Sequence, residues 1–160
     1  MNVEDVWKCL EAVTDPEVPV LSILDMGIVR SVEVIPGSVP GCRIVITPTY
    51  SGCPAMDVIG MTIRMALSAL GFRTIDIVQQ LSPAWTTDWM TETGKARLRE
   101  YGIAPPQTRS QTGLFEDEAV PCPRCGARET RLVSRFGATA CKALYQCTHC
   151  LEPFEYFKCH

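Results

Sequence analysis

Apolar side chains recur along the first part of the chain with two periods, and the switches between them mark the elements. Val3, Val6, Trp7, Leu10 and Val13 are spaced by three and one, which gathers them on one face of a helix with Asn2 placed as its cap. Asp15-Pro16 ends it, because proline disfavours helical backbone at the residue before it. After a loop from Glu17 to Gly27, Ile28 to Ile35 is rich in Val and Ile, and Cys42 to Thr47 alternates again across Pro36-Gly37-Ser38-Val39-Pro40-Gly41. This predicts a β-hairpin with a proline-glycine turn. Ala55 to Leu70 returns to helical spacing through Val58, Ile59, Thr62, Ile63, Ala66, Leu67 and Leu70, and Gly71 closes that helix. Phe72 to Leu81 adds a strand on the alternation of Ile75 and Ile77 and stops at Ser82-Pro83. Thr91 to Tyr101 reads as a shorter helix, weakened by Gly94. The fold class predicted is α+β, an α-β-β-α-β-α domain over residues 1–103.

Periodicity then fades. Ala104 to Val120 holds two prolines, several Ser, Thr and Gln, and the acidic run Glu116-Asp117-Glu118, so residues 104–120 read as a linker. Residues 121–160 are too few to bury a self-sufficient apolar core. They need a staple, and cysteine supplies one. Cys122-Pro-Arg-Cys125-Gly126 and Cys147-Thr-His-Cys150 are two CxxC pairs separated by 21 residues. Each pair suits a tight turn that points two thiolates at one ion, and two such turns at the ends of a hairpin close a tetrahedron. Arg131 to Phe136 and Ala143 to Gln146 supply strand material, with Gly137 at the bend. The pattern is that of a zinc ribbon with Cys122, Cys125, Cys147 and Cys150 as ligands, and rubredoxin-like iron is the competing occupant. Four thiolates leave no open position for substrate or water, so the ion is structural. His149 reads as a surface group, and Cys141 and Cys159-His160 as free groups at a strand edge and a chain end.

Composition changes this picture mainly through cysteine and charge. The 160 residues are 46% apolar and 21% charged, with nine Cys and a net charge of -3. The longest apolar stretch, Val58 to Leu70, is broken by Arg64, which argues against a membrane span. Met-Asn-Val-Glu-Asp is acidic where a secretory signal is basic, so the expected location is cytoplasmic. A reducing cytosol favours metal or redox chemistry at paired cysteines over disulfides. Residues 1–118 carry nine Lys/Arg against fifteen Asp/Glu, and residues 119–160 carry six against three. Four thiolates around a divalent ion bring that basic excess down to about +1, which leaves nucleic acid little support as a partner.

Cys53 differs from the other unpaired cysteines. It precedes Pro54, a residue favoured at the first helical position, so it falls at or beside a helix cap where free amides and the helix dipole stabilise a thiolate. Gly52 gives the turn its freedom, and Thr49 and Ser51 put hydroxyls nearby. The same position suits a small buried capping residue, and the two readings stay open. Cys9 and Cys42 read as ordinary, partly buried thiols. Trp85 and Trp89, four apart beside Pro83, are expected to pack on the sheet.

Asp15-Pro-Glu-Val-Pro-Val20, Leu24-Asp-Met-Gly-Ile-Val29 and Thr47 to Pro54 resemble, in this order, the iron-sulfur assembly domain family that includes the bacterial SufT proteins and the cytosolic iron-sulfur targeting factors. The resemblance spans roughly residues 3 to 81. With Ser82-Pro-Ala-Trp-Thr-Thr-Asp-Trp89, Gly102-Ile-Ala-Pro-Pro106 and the four-cysteine tail, the whole chain resembles the accessory subunits that accompany multicomponent phenylacetyl-CoA epoxidases in phenylacetate catabolism. The resemblance implies a non-catalytic maturation or assembly factor that helps insert an iron-sulfur cluster or a di-iron centre into an oxygenase or reductase subunit. It maps the family's reactive cysteine onto Cys53, with transient iron or cluster there, and the family's acidic positions onto Asp15 and Asp25, each of which also suits a turn-capping role. Epoxidation by this chain itself is not expected. Both histidines lie in the tail, so paired Glu-x-x-His motifs of a di-iron bundle cannot form, and no Gly-rich dinucleotide motif opens a helix after a strand. The rival readings are a structural subunit retained in the oxygenase and a ribbon module for nucleic acid. A homodimer is left open.

Overall fold

A computed structural model describes residues 1–107 and 119–158. Helix α1 (Val3–Glu11) starts at Asn2. The Asn2 side chain accepts the Asp5 N–H and the Asp5 carboxylate accepts the Asn2 N–H, each at 2.9 Å, a capping box that satisfies two donors of the first turn. Val6 and Leu10 are fully buried on the inner face. Strands β1 (Val29–Ile35) and β2 (Gly41–Ile46) form the expected antiparallel hairpin, and β3 (Thr74–Gln79) lies parallel to β2, giving the order β1-β2-β3. Parallel neighbours need a crossover, which α2 (Ala55–Leu70) provides. Cys42, Ile44 and Ile46 are buried while Arg43 between them is exposed and pairs with Asp76 at 2.9 Å. The sheet therefore has one core face and one wet face. Ile59, Ile63 and Leu67 of α2 are fully buried, and Gly71 ends the helix in the left-handed conformation, φ 109°.

The segment after β3 closes this unit. Trp85 is buried, and its indole N–H donates to the Met26 carbonyl at 2.8 Å. Arg30 stacks over the Trp89 ring, 3.6 Å from its centroid. Gly27, at φ 70°, lies so close to Trp89 that a Cβ there meets the Trp89 carbonyl oxygen at 2.4 Å; both the backbone conformation and the space require glycine. The two tryptophans pack, as their spacing beside Pro83 suggested.

The chain divides into two compact units between Thr91 and Glu92. The second begins with α3 (Glu92–Tyr101), which forms despite Gly94, and continues through β4 (Ile103–Ala104), β5 (Thr130–Ser134), β6 (Lys142–Cys147) and β7 (Pro153–Phe157). These four strands form one sheet in the order β4-β7-β6-β5. Here the structure departs from the pattern of the sequence, which ends the first domain at residue 103 and begins a linker at Ala104. Ile103 and Ala104 pair with Glu155 and Tyr156, and Ala104 and Val120 are core residues packed with Cys122, Cys147, Phe154 and Tyr156. Both ends of the supposed linker thus belong to the ribbon unit. Residues 108–118, with the acidic run Glu116-Asp117-Glu118, and the terminal Cys159-His160 lie outside the described residues. Among the described residues no helix is long and apolar enough to cross a membrane.

Candidate functional site

The ribbon turns bring four sulfur atoms together. In the first, Cys122 donates its N–H to Ala127 and accepts that of Gly126 on its carbonyl, both at 2.9 Å, a reversal that Gly126 permits at φ 78°. In the second, the Cys147 N–H reaches the Glu152 carbonyl at 3.0 Å, and the position matching Gly126 is filled by Leu151 at φ 66°. The Arg124 N–H points at the Cys122 sulfur and the Cys150 N–H at the Cys147 sulfur, each at 3.4 Å. All four sulfurs lie within 4.8 Å of one another; Cys122 and Cys150 are 3.7 Å apart, Cys125 and Cys147 3.6 Å. A tetrahedral ion with 2.3 Å metal–sulfur bonds spaces its ligands by about 3.8 Å, so the donor set fits a closed four-thiolate zinc site. His149 is exposed and outside this set, and Cys141 is buried with its sulfur 3.0 Å from the Thr139 hydroxyl.

Two of these thiols, Cys147 and Cys150, are driven in opposite directions by their surroundings. The Cys147 thiol is drawn down to about 6, above all by the Cys150 backbone N–H. Cys150 is pushed up to about 12: the Glu152 N–H lowers it, but loss of water and the neighbouring Cys147, Cys125 and Cys122 outweigh that. Cys122, Cys125, Cys147 and Cys150 would hold a divalent ion as thiolates, and its binding would displace the protons they carry.

Cys53 occupies a different setting. Beyond Ile46 the loop from Thr47 turns at Gly52, φ 77°, and the Cys53 N–H closes the turn on the Tyr50 carbonyl at 3.3 Å. Cys53 is 9% exposed and stands one residue before Pro54, the N-cap of α2. Pro54 makes no side-chain capping bond, and the Met56 N–H donates to the Cys53 carbonyl at 3.2 Å, so the backbone of Cys53 itself begins the 16-residue helix. Burial pushes the Cys9 and Cys42 thiols up, which keeps both protonated and makes them poor nucleophiles.

The supporting residues fall in varied places. Thr49 is half-buried and Ser51 exposed. The Asp15 carboxylate accepts the N–H groups of Glu17 and Val18 at 2.7 and 3.0 Å. Asp25 accepts the Ser22 N–H at 3.4 Å and the Thr91 hydroxyl at 2.9 Å, while its own N–H donates to the Ser22 hydroxyl. These bonds fix the loop between α1 and β1 and pin Thr91 to it. One residue has no counterpart among the sequence candidates: the Thr47 hydroxyl, at the start of the loop to Cys53, is buried with no hydrogen-bond partner among the described residues. A threonine at a strand end carries no signal of that kind until its surroundings are known.

Residues 3–75 match the family described as iron-sulfur cluster assembly protein, and residues 106–158 match the PaaD zinc beta ribbon domain. Over 158 residues, 99% of this chain and 93% of the relative, the chain is 51% identical to a protein of Escherichia coli (strain K12) assigned as the D component of 1,2-phenylacetyl-CoA epoxidase. Over 96 residues, 59% of this chain and 89% of the relative, it is 32% identical to an Fe-S protein maturation auxiliary factor of Porphyromonas gingivalis (strain ATCC BAA-308 / W83). Among solved structures, a DUF59 domain from Bacillus anthracis superposes with a TM-score of 0.53 at 26% identity, covering 60% of this chain and 90% of that one. With a near-full-length relative above half identity and both halves matched in order, the chain belongs to the PaaD family of phenylacetyl-CoA epoxidase components, an iron-sulfur-assembly-type domain followed by a zinc ribbon.

Proposed function

We propose that the chain is a non-catalytic, cytoplasmic accessory factor that matures the phenylacetyl-CoA epoxidase, passing iron or an iron-sulfur cluster to an oxygenase or reductase subunit through Cys53. The observation that carries this reading is the contrast between two cysteine settings in one chain. The ribbon's four thiols close around an ion and leave no position for exchange. Cys53 lies outside that set, one residue before the N-cap of α2, and is not committed to a closed site. Transfer of a soft metal needs the second kind, because an exchangeable sulfur ligand can be handed over. The ribbon then holds structural zinc and shapes a surface for the client. Asp15 and Asp25 serve the reading indirectly, by holding the loop between α1 and β1. The names of the Escherichia coli and Porphyromonas gingivalis relatives, one a component of this epoxidase and the other an Fe-S maturation factor, support the two halves of the proposal.

The test is to express the oxygenase and reductase subunits with and without this chain and measure iron per complex and epoxidation rate. The expected result is less iron and a lower rate without it, the chain being absent from the purified active enzyme. Equal iron with and without the chain refutes the proposal. Stoichiometric retention of the chain in the active complex moves the role to that of a structural subunit.

A further inference from the structure

Helix α2 buries Ile59, Ile63 and Leu67 but leaves Met61 and Met65 65% and 68% exposed. Between this outer side of α2 and β3 lies a groove of about 360 Å³, walled by Met56, Met61, Ile46 and Ile77, with Asp57 among its polar lining and Gly60 on the helix. Gly60 is the informative residue. Glycine is the poorest interior helix former after proline, yet a Cβ built there meets nothing within 4 Å, so packing within the chain does not require it. What the missing side chain does provide is a low floor. Methionine walls adapt to varied apolar partners, since the thioether chain is unbranched and polarizable.

The occupant can be narrowed from three features. Strand β3 ends the sheet order β1-β2-β3, so among the described residues no strand pairs with its outer edge, and two of its residues, Ile77 and Gln79, line the groove. Arg64, which also lines the groove, donates to the Ile75 carbonyl and so occupies that position of the edge. Asp57 has no cationic partner among the described residues. Met65, one turn beyond Met61 on the helix, and Leu81, two residues past Gln79, are 68% and 60% exposed.

We propose that the groove between α2 and β3 docks an extended segment of a partner polypeptide, which sets an apolar side chain over Gly60, a lysine or arginine against Asp57, and its backbone along the outer edge of β3. The partner is a subunit of the epoxidase system, and in that identity the inference rests on the maturation reading; Asp57 lies one helical turn beyond Cys53, so a docked client segment reaches the transfer thiol.

Two variants of the full chain test this. Gly60→Gln fills the floor with a better helix former, and Met61→Glu places a charge on a wall that is already exposed. Both should melt no lower than wild type. Binding to the purified oxygenase and reductase subunits, measured by calorimetry, should weaken at least tenfold for the subunit that wild type binds, and iron delivery to it should fall in parallel. Unchanged binding by both variants, with wild-type iron delivery, overturns the groove and leaves the maturation reading standing. Wild type that binds neither subunit overturns both. A wild-type dimer in light scattering that Gly60→Gln converts to monomer assigns the groove to a second copy instead and overturns the partner-segment proposal.

Discussion

In Met1–Thr91 the largest fully buried side chains are aliphatic or aromatic, Leu10, Leu21, Ile44, Ile63 and Phe72 among them. In the ribbon, two of the six residues in the core cluster, Cys122 and Cys147, belong to the group of four thiols that could hold a metal ion. The first unit is stabilised by removing apolar surface from water, whereas the second has too little of it and gains its remaining stability from an ion. This difference explains why cysteine means different things along one chain. In the ribbon it is consumed by folding. In the first unit Cys53 stands before Pro54, outside any such cluster.

The contrast breaks most sharply at Cys147, which is fully buried in the ribbon core. Cys147→Ser should release the ion and disorder the ribbon, because binding energies of about 10–16 kcal/mol for structural zinc are also folding energy in modules of this size. Elemental analysis together with amide NMR should show zinc lost and ribbon resonances collapsed, with those of Met1–Thr91 in place. A ribbon that stays ordered without metal contradicts the contrast. In the first unit the matching cut is Trp85→Ala, which removes a buried ring and its bond to Met26. The expected cost is about 3–5 kcal/mol in urea unfolding of that unit, with zinc content unchanged. The smallest effect sharpens the contrast within the ribbon. Leu151 is 67% exposed and held at φ 66° where the first turn has Gly126, so Leu151→Gly relieves left-handed strain at little loss of packing and should stabilise the ribbon by about 1 kcal/mol. A higher midpoint for thermal release of zinc is the readout; a lower one means the exposed leucine contributes more than its backbone costs.

Local signals are legible in the sequence and long-range ones are not. Asn2 and Gly71 announce helix ends because capping acts within one turn. The clustering of Cys122, Cys125, Cys147 and Cys150 is equally readable, since two CxxC turns at the ends of a hairpin bring their sulfurs together. Strand β4 leaves no such trace because Ile103–Ala104 is two residues long and pairs with a strand some fifty residues on, beyond any periodicity. For the same reason the boundary at Ile103 and the linker beginning at Ala104 are misplaced when read from pattern alone. The turn role of Asp15 is contained within three residues, while Asp25 finds its second partner, Thr91, 66 residues away. The unpartnered Thr47 hydroxyl is a property of packing, with no trace in the chain's pattern.

The central claim is that Cys53, and not the ribbon, carries the cargo, and one measurement addresses it directly: iron per oxygenase complex after co-expression with Cys53→Ala. The account predicts that the variant folds, keeps its ribbon zinc and lowers client iron to the level found without the chain. Client iron equal to that obtained with the wild-type chain contradicts it and reduces Cys53 to a residue that merely precedes a helix.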